Sequence, residues 1–380
     1  MSVLFGTPQL GQIADRLREG FSSGGAERVD TDAVQPLTPY LEFLGEFYRD
    51  TLVEYRSAGH DEFCLRPDLT LAIAREVATG ARQPGRYFYD DLVFRGARRV
   101  HLTEGGQIAP IQRQVGIEVF GSGDAAEDDA SLVLQTLAAL KAAGVDEVRI
   151  TLSDVALISD VIDGFEVHEN WKSRLKETLS DTGAFEKIMA SAQGQGTETL
   201  SPLSRALSGL SPDEARSAVE EIFATSGVKQ IGSRSLDDIA SRMVTKAAEQ
   251  AQPLGAEDAG LLRAVLGVEG PVREALDKIA GLLDGRGSPA GLPALRALVK
   301  RLEDGGVASG TIHFDADLSR HLSYYDGFIF EVFDASGEVF LGGGGRYNTL
   351  VANLSNGERT CSAVGAMLRP DRIASLLQGS

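Results

Sequence analysis

The amino-acid sequence predicts an α+β protein in which one mixed domain is interrupted by a helical insertion. Helix and strand signals are mixed over residues 1–160, helical signals dominate residues 161–307, and strand signals return over residues 308–380. The length of 380 residues is enough for about two domains. A composition of 43% hydrophobic and 24% charged residues is typical of a globular chain with a sizeable core.

The first part of the chain contains a clear helix followed by a strand. Residues 125–143 keep apolar residues at helical spacing, with Asp124 as a potential N-cap and Gly144 as a stop signal. Residues 147–152 then alternate between polar and apolar side chains, which predicts a strand. This part therefore supplies both helix and sheet to the predicted domain.

The middle and final segments differ in composition. Helix starts are predicted at Ser211–Glu214 and after Pro271, where a proline precedes acidic residues or an apolar stripe. In the final segment, residues 328–333 are apolar in both phases, which predicts a strand covered on both faces. The run Gly342–Gly345 lacks the context of a phosphate-binding loop, so we expect close backbone approach within a sheet.

Composition and charge argue against several function classes. The formal net charge of −18 weighs against nucleic acid as a partner, since phosphate binding depends on Lys and Arg. The chain has no apolar run near the roughly 20 residues of a membrane span, and its start does not resemble a signal peptide. Cys64 and Cys361 without a CxxC motif indicate a reducing cytoplasm. The five histidines have no metal-ligand spacing, so we expect neither metal nor cofactor.

The segment 112–121 is the sharpest candidate for a binding site. It has strand periodicity, so Gln114, Gly116 and Glu118 share one face while the apolar residues between them face a core. An amide, a gap and a carboxylate on one face form a floor for a small polar ligand. The alternative is a solvated strand face with a glycine at a bulge.

Three further segments carry polar side chains at the ends of predicted elements. Asp68 and Thr70 precede an apolar helix, and the pattern alone favours one of them as its cap over a ligand contact. Arg95 follows a predicted strand, where a lone arginine is usually on the surface. The segment 319–327 pairs Arg320 with two tyrosines, which could contact a ligand or pack in the core.

Taken in order, these segments resemble the motifs of histidyl-tRNA synthetase, a class II aminoacyl-tRNA synthetase. The resemblance implies an antiparallel sheet flanked by helices and covers the chain outside the helical insertion. The matching segments are Val34–Pro36 (first class signature), Leu65–Thr70 (LRPEGT-like), Phe94–Gly121 (second signature), Arg320–Tyr325 (RGLDYY), Gly344–Leu350 (GGRYDGL) and Val364–Ile373 (third signature).

The resemblance also implies a pocket for histidine. Its α-amino group is a cation that needs acceptors, its carboxylate needs donors, and neutral imidazole offers one donor and one acceptor. The family's amino-group, imidazole and carboxylate ligands all have counterparts in this sequence. The histidine-binding residues implied by the resemblance are Asp68, Thr70, Arg95, Gln114, Glu118, Arg320, Tyr324 and Tyr325.

Four departures from the synthetase pattern affect ATP and tRNA binding. The loop before Gln114 is longer than in the family and has Ile108–Pro110 where an ATP-binding arginine is expected. Arg369 replaces a glycine beside the adenine position, although Arg372 is kept. Ser323 replaces the acid of RGLDYY, and we expect no anticodon-binding domain after the third signature.

A kept amino-acid pocket with an altered ATP site indicates a histidine sensor and not a synthetase. This profile resembles the regulatory subunits of ATP phosphoribosyltransferase, which implies a short catalytic subunit as partner, a homodimer within a hetero-oligomer, feedback inhibition by histidine and no catalysis by this chain alone. Two alternatives stay open: a histidyl-adenylate-forming ligase with a non-tRNA acceptor, and a scaffold with a vestigial pocket.

Overall fold

The computed structural model describes most of the chain as two compact units. One unit comprises residues 1–158 and 266–380, and the other comprises residues 159–265. The described residues are 8–44, 49, 51–57, 61–96, 111–121, 123–179, 182–192, 254–286, 289–320 and 324–379, with scattered positions between 213 and 225.

The first unit is built on a nine-stranded sheet and a separate three-stranded sheet. The large sheet has the order β1-β5-β6-β12-β11-β10-β7-β9-β8, and the small sheet has the order β2-β4-β3. The pairs β1–β5 and β7–β9 are parallel and the other pairs are antiparallel. The strands are β1 Glu27–Arg28, β2 Val34–Pro36, β3 Val53–Arg56, β4 Glu62–Leu65, β5 Arg86–Phe94, β6 Ile111–Phe120, β7 Val148–Asp154, β8 Glu269–Pro271, β9 Ile312–Asp315, β10 Phe328–Asp334, β11 Phe340–Arg346 and β12 Ala363–Leu368.

Helices cover both faces of the large sheet. On one face α1, α4 and α12 lie against β5, β6, β11 and β12. The other face packs against a core that includes residues of α3, α11 and the small sheet. The described helices are α1 Pro8–Ser22, α2 Leu37–Leu44, α3 Thr70–Thr79, α4 Ala125–Ala142, α5 Val155–Asp163, α6 Glu169–Thr178, α7 Thr182–Ala192, α8 Ala256–Leu266, α9 Val272–Leu282, α10 Gly291–Asp304, α11 Asn348–Leu354 and α12 Pro370–Gly379.

The helix predicted over residues 125–143 is confirmed as α4. Asp124 accepts a hydrogen bond from the backbone N–H of Glu127 at 3.1 Å and so caps the first turn. At the other end Gly144 adopts φ +99°. The N–H of Val145 reaches back to the carbonyl of Leu140 at 3.0 Å, which satisfies a terminal carbonyl of the helix.

The strand predicted over residues 328–333 is confirmed as β10, whose first five residues are buried. The close backbone approach predicted for Gly342–Gly345 is also confirmed in β11. A Cβ on Gly344 would lie 2.1 Å from the carbonyl oxygen of Gly365, so only glycine fits there.

The second boundary of the insertion differs from the predicted 161–307. Residues 266–307 belong to the first unit, since β8 pairs with β9 in the large sheet and α10 packs on α4. Their helix-rich composition predicted the local structure but carried no information on where those helices dock. The predicted helix after Pro271 is α9, with Val272, Leu276 and Ile279 buried.

The second unit is described through α6, α7 and most of α8. Helix α6 begins after His168, whose Nδ1 accepts a hydrogen bond from the N–H of Asn170 at 3.2 Å. Trp171 of α6 and Phe185 and Met189 of α7 are buried. Within its described residues this unit contains helices and no strand.

The described residues contain neither a membrane-spanning helix nor a metal-binding cluster. None of the described helices is both long and apolar enough to cross a membrane. The described part of the chain also has no cluster of three or more His, Cys, Asp or Glu side chains arranged to hold a metal ion. Ser211 and Pro212, where a helix start is predicted, lie outside the described residues.

Candidate functional site

A buried polar cluster surrounds Glu118 on the inner face of β6. The side chain of Glu118 is 0% exposed, so every polar group that it contacts comes from the protein. Thr70 donates a hydrogen bond to its Oε1 at 2.6 Å, and the Tyr89 hydroxyl donates to the same oxygen at 3.4 Å. The Tyr347 hydroxyl donates to Oε2. Three hydroxyls therefore satisfy this carboxylate.

Burial raises the pKa of Glu118 to about 7, because desolvation disfavours the charged form. The hydrogen bonds from Thr70, Tyr347 and Tyr89 act in the opposite direction, and the charge of Asp68 raises the pKa further. The carboxyl group of Glu118 is therefore poised between its two protonation states near neutral pH.

Two glycines make room for this cluster. Gly365 of β12 pairs with Glu118, and a Cβ at residue 365 would lie 1.6 Å from Oε2 of Glu118. Gly116 pairs with Tyr89, and a Cβ there would lie 2.3 Å from the Tyr89 hydroxyl oxygen. The Glu118 carboxylate and the Tyr89 ring thus lie flat over glycine backbone.

Three tyrosines form one wall of the cluster. The rings of Tyr324 and Tyr325 have centroids 4.6 Å apart, and both lie about 6 Å from the ring of Tyr347 in edge-on arrangements. Burial raises the pKa of both Tyr324 and Tyr325, so their hydroxyls stay protonated at neutral pH. The predicted pair therefore packs in the core and also lines the cluster.

Asp68 and Arg95 lie near the first turn of α3. Asp68 Oδ1 accepts a hydrogen bond from the N–H of Leu71 at 2.9 Å and so satisfies a donor in the first turn, although the N-cap position itself is Leu69. Arg95 donates from Nε to the carbonyl of Pro67 at 3.4 Å. Burial raises the pKa of Asp68, and the Leu71 N–H and the charge of Arg95 oppose that effect. The charges of Asp68 and Arg95 therefore interact at the start of this helix.

The face of β6 is buried, so the alternative of a solvated strand face is wrong. Gln114 is 2% exposed and Glu118 is 0% exposed. The alternative also placed a β-bulge at Gly116. No bulge occurs there, since β6 pairs with β5 in unbroken register through this residue. The helices and the small sheet that cover this face could not be inferred from the alternation within β6.

Part of the predicted site lies outside the described residues. Arg320 ends the short helix Ala316–Arg320, but its side chain is not among those described. Residues 97–110 and 321–323, which contain the altered loop and Ser323, are also outside. The structure therefore brings together Thr70, Glu118 and the two tyrosines, with Asp68 and Arg95 beside the same helix.

Arg369, which replaces the glycine of the synthetase pattern, is buried at 1% exposure. Its Nε and a terminal nitrogen donate to the two carboxylate oxygens of Asp371 at 3.0 and 2.8 Å. A bidentate pair of this kind holds a guanidinium firmly in place. The long side chain is thus built into the interior directly after β12.

Sequence reasoning missed two residues that bond to Glu118. Tyr89 lies in the strand predicted before Arg95 and Tyr347 lies in the segment that resembles GGRYDGL, but neither is predicted as a site residue. The register of β5 against β6 could have indicated Tyr89, since Tyr89 pairs with Gly116 and therefore lies on the same face of the sheet as Glu118. No local pattern places Tyr347, which follows β11 and reaches Glu118 only through the fold.

Comparisons with known proteins define the class of this fold. A sequence profile described as histidyl-tRNA synthetase matches residues 7–222 and 215–373. A structure described as an ATP phosphoribosyltransferase regulatory subunit/histidyl-tRNA synthetase from Bacillus halodurans superposes with a TM-score of 0.64 at 22% identity, over 99% of this chain and 84% of that chain. A histidine–tRNA ligase subunit from Alicyclobacillus acidocaldarius gives 0.59 at 22% identity, over 98% and 95%. The fold is that of a histidyl-tRNA synthetase-like protein.

Curated relatives narrow this class. An ATP phosphoribosyltransferase regulatory subunit from Allorhizobium ampelinum is 32% identical over 370 residues, covering 95% of this chain and 96% of the relative. One from Agrobacterium fabrum is 30% identical over 374 residues, covering 96% of both. The chain belongs to the family of ATP phosphoribosyltransferase regulatory subunits, which is named for regulation and not for catalysis.

Proposed function

We propose that this chain binds histidine in the cluster around Glu118 and confers histidine feedback inhibition on a catalytic ATP phosphoribosyltransferase subunit, whose full activity requires it. The observation that carries the proposal is a fully buried carboxylate surrounded by hydroxyl donors on a histidyl-tRNA synthetase-like sheet. The name of the relatives supplies the partner, since a regulatory subunit implies a catalytic one.

The polar groups of the cluster suit the three functional groups of histidine. Glu118 and Tyr325 offer an acceptor and a donor, which is what a neutral imidazole ring needs. Charge-assisted hydrogen bonds contribute roughly 1.5–3 kcal/mol each, so several support micromolar binding of about −8 kcal/mol. We assign the α-amino group to Asp68, Thr70 and Gln114, the imidazole to Glu118, Tyr324 and Tyr325, and the carboxylate to Arg95 and Arg320.

Histidine binding requires a rearrangement at Glu118. Since its side chain is 0% exposed, an imidazole N–H reaches the carboxylate only when a covering hydroxyl moves. Thr70 begins α3 and Tyr347 immediately precedes α11, and these two helices contact each other. Displacing either hydroxyl would therefore move α3 and α11 together. Histidine would then bind one arrangement of these helices more tightly than the other, and so favour one state of the complex.

We also propose that the chain self-associates through the outer face of the small sheet. Val34, Val53 and Tyr55 lie on this face and are 39%, 38% and 46% exposed. Phe63 of β4 stacks on Tyr55 with ring centroids 5.3 Å apart and extends the apolar surface. Contiguous exposed apolar area of this kind marks interaction surfaces. Tyr55→Glu should shift the mass measured by light scattering toward the monomer.

The main experiment combines calorimetry with an activity titration. The purified chain should bind histidine with micromolar affinity, and Glu118→Gln should weaken that binding at least about tenfold. In a complex with the catalytic subunit, the ratio of activity without and with histidine should fall toward one in Glu118→Gln and stay high in the exposed control Glu358→Gln. Neither heat nor thermal shift at millimolar histidine would instead support a scaffold with a vestigial pocket.

The alternative function is a histidyl-adenylate-forming ligase. Arg369 argues against it, because its buried side chain replaces the glycine that the synthetases keep beside adenine. We therefore expect no histidine-dependent exchange of pyrophosphate into ATP by the purified chain. Clear exchange would favour the ligase and contradict the regulatory proposal.

A further inference from the structure

A cavity of about 670 Å³ lies on a different part of the sheet from Glu118. It is lined by residues of β7 and of the segment that leads into β9, and these strands are separated from β6 by β12, β11 and β10. Pockets for small molecules are typically about 300–1,000 Å³. The cavity is therefore large enough for a small organic ligand, and it is separate from the cluster around Glu118.

One wall of the cavity is apolar. Leu134 and Leu137 of α4 line it, together with Val145 and Val307, which follow the ends of α4 and α10. Both helices end in the same way, with Gly144 and Gly306 at positive φ and the following valine N–H bonded back to the helix. These rigid ends hold the two valines in place, so the wall is preformed.

The other wall carries Arg149, whose guanidinium has no acceptor among the residues that the structure describes. Its Nε is buried without a hydrogen-bond partner, and among the described residues no carboxylate pairs with it. Asp334, close to Arg149 in the register, instead accepts bonds from Ser336 and Val339 within its own turn. The chain has 55 acidic and 37 basic residues, so acids that could pair with an arginine are abundant. Since a partly buried guanidinium is costly without a hydrogen-bond acceptor, its lack of an acidic partner indicates that an external anion binds to it.

His313 adds a second donor to this wall. It pairs with Thr151 across the parallel strands, which puts it on the same face as Arg149. Burial lowers the pKa of His313, and the positive charge of Arg149 lowers it further. The imidazole is therefore neutral at neutral pH and offers one N–H beside the guanidinium.

We propose that this cavity binds a small organic carboxylate, with the carboxylate on Arg149 and His313 and an apolar body against Leu134 and Leu137. A guanidinium fork matches a carboxylate in two parallel hydrogen bonds. Lys141 adds an exposed positive charge at the rim, while the exposed Asp146 and Glu147 disfavour ligands with several negative charges. The lining thus selects a single carboxylate over a phosphate ester.

Calorimetry with benzoate tests the proposal, with benzamide as the uncharged analogue and inorganic phosphate as the competing anion. The full chain should bind benzoate saturably and more tightly than benzamide or phosphate. Arg149→Gln should weaken benzoate binding about tenfold or more, as expected for one charge-assisted bond. Arg28→Gln, an exposed arginine paired with Asp30, should leave it unchanged.

Two further readouts separate this site from the histidine site. Benzoate should raise the pKa of His313 measured from its ring nitrogen resonances, since a bound anion stabilises the imidazolium. Glu118→Gln should weaken histidine binding at least about tenfold and leave benzoate binding unchanged. The proposal is overturned by absence of saturable benzoate binding, by equal affinity for benzamide, by tighter binding of phosphate, or by an unchanged affinity in Arg149→Gln.

Discussion

Gly365 and Glu118 face each other across β12 and β6, and the carboxylate of Glu118 occupies the space that a side chain at residue 365 would take. An ideal Cβ on Gly365 would lie 1.6 Å from Oε2 and 2.5 Å from Cδ of Glu118. The absence of a side chain at Gly365 therefore leaves the space that the Glu118 carboxylate needs inside the sheet. The hydroxyls of the cluster then satisfy this carboxylate by hydrogen bonding.

Gly365→Ala should displace the Glu118 carboxylate and destabilise the protein by at least about 1–3 kcal/mol, the usual range for overpacking a core. Histidine binding should be lost with it. The matched control is Gly260→Ala in α8, where a Cβ meets nothing within 4 Å. That control should gain about 0.5–1 kcal/mol from helix propensity. Similar free energies of unfolding for both variants in urea would contradict the packing argument.

Tyr347→Phe should destabilise the fold by about 1–3 kcal/mol, because it leaves an oxygen of Glu118 buried without a donor. Tyr89→Phe should cost less, since the Tyr89 hydroxyl is 3.4 Å from Glu118 Oε1, which is long for a hydrogen bond. In the Glu118→Gln background the effect of Tyr347→Phe should shrink. A double-mutant cycle measured by denaturation checks this coupling, and additive effects would argue against it.

Glu118 should make the stability of the protein depend on pH. Its pKa is about 7 in the fold against an ordinary value of 4.5, so the unfolded chain releases this proton first. The stabilising contribution is therefore fully present below pH 4.5 and is lost as pH rises through 7. A shift of this size corresponds to roughly 3 kcal/mol.

Glu118→Gln provides the comparison for this pH effect, because other acids titrate equally in both proteins. The free energy of unfolding of the natural chain should fall relative to the Gln variant between pH 4.5 and 8. A difference that stays constant over this range would mean that Glu118 titrates near its ordinary pKa.

Asp129→Asn should destabilise the protein by about 3–5 kcal/mol. Arg346, only 5% exposed, donates from Nε to Asp129 Oδ1 at 2.8 Å, so the variant leaves a buried cation without its acid. The exposed pair of Arg296 and Asp277 is the control, and Asp277→Asn should cost under about 1 kcal/mol. Thermal denaturation of both variants measures the two losses of stability. A loss under about 1 kcal/mol in Asp129→Asn would show that water replaces the acid beside Arg346.

Local patterns predicted the elements best where both ends of an element carry a signal. Helix α4 has an acidic N-cap and a glycine stop, and its observed bounds fall within a residue of the prediction. The segment 266–307 shows the limit of such patterns, since its helices were recognised but its membership in the first unit was not. Docking depends on which apolar faces meet, and the spacing within one helix does not encode its partner.

For the site, the sequence by itself determined that Gln114, Gly116 and Glu118 share one face of a strand, because side chains alternate every second residue. It also determined the family resemblance, through motifs in a fixed order. Only the tertiary structure decided what covers that face. Thr70, Tyr89 and Tyr347 come from three separate segments and meet Glu118 only once the strands are in register. Hydrogen bonding depends on distances of about 3 Å between such segments, and no periodicity within a segment specifies them.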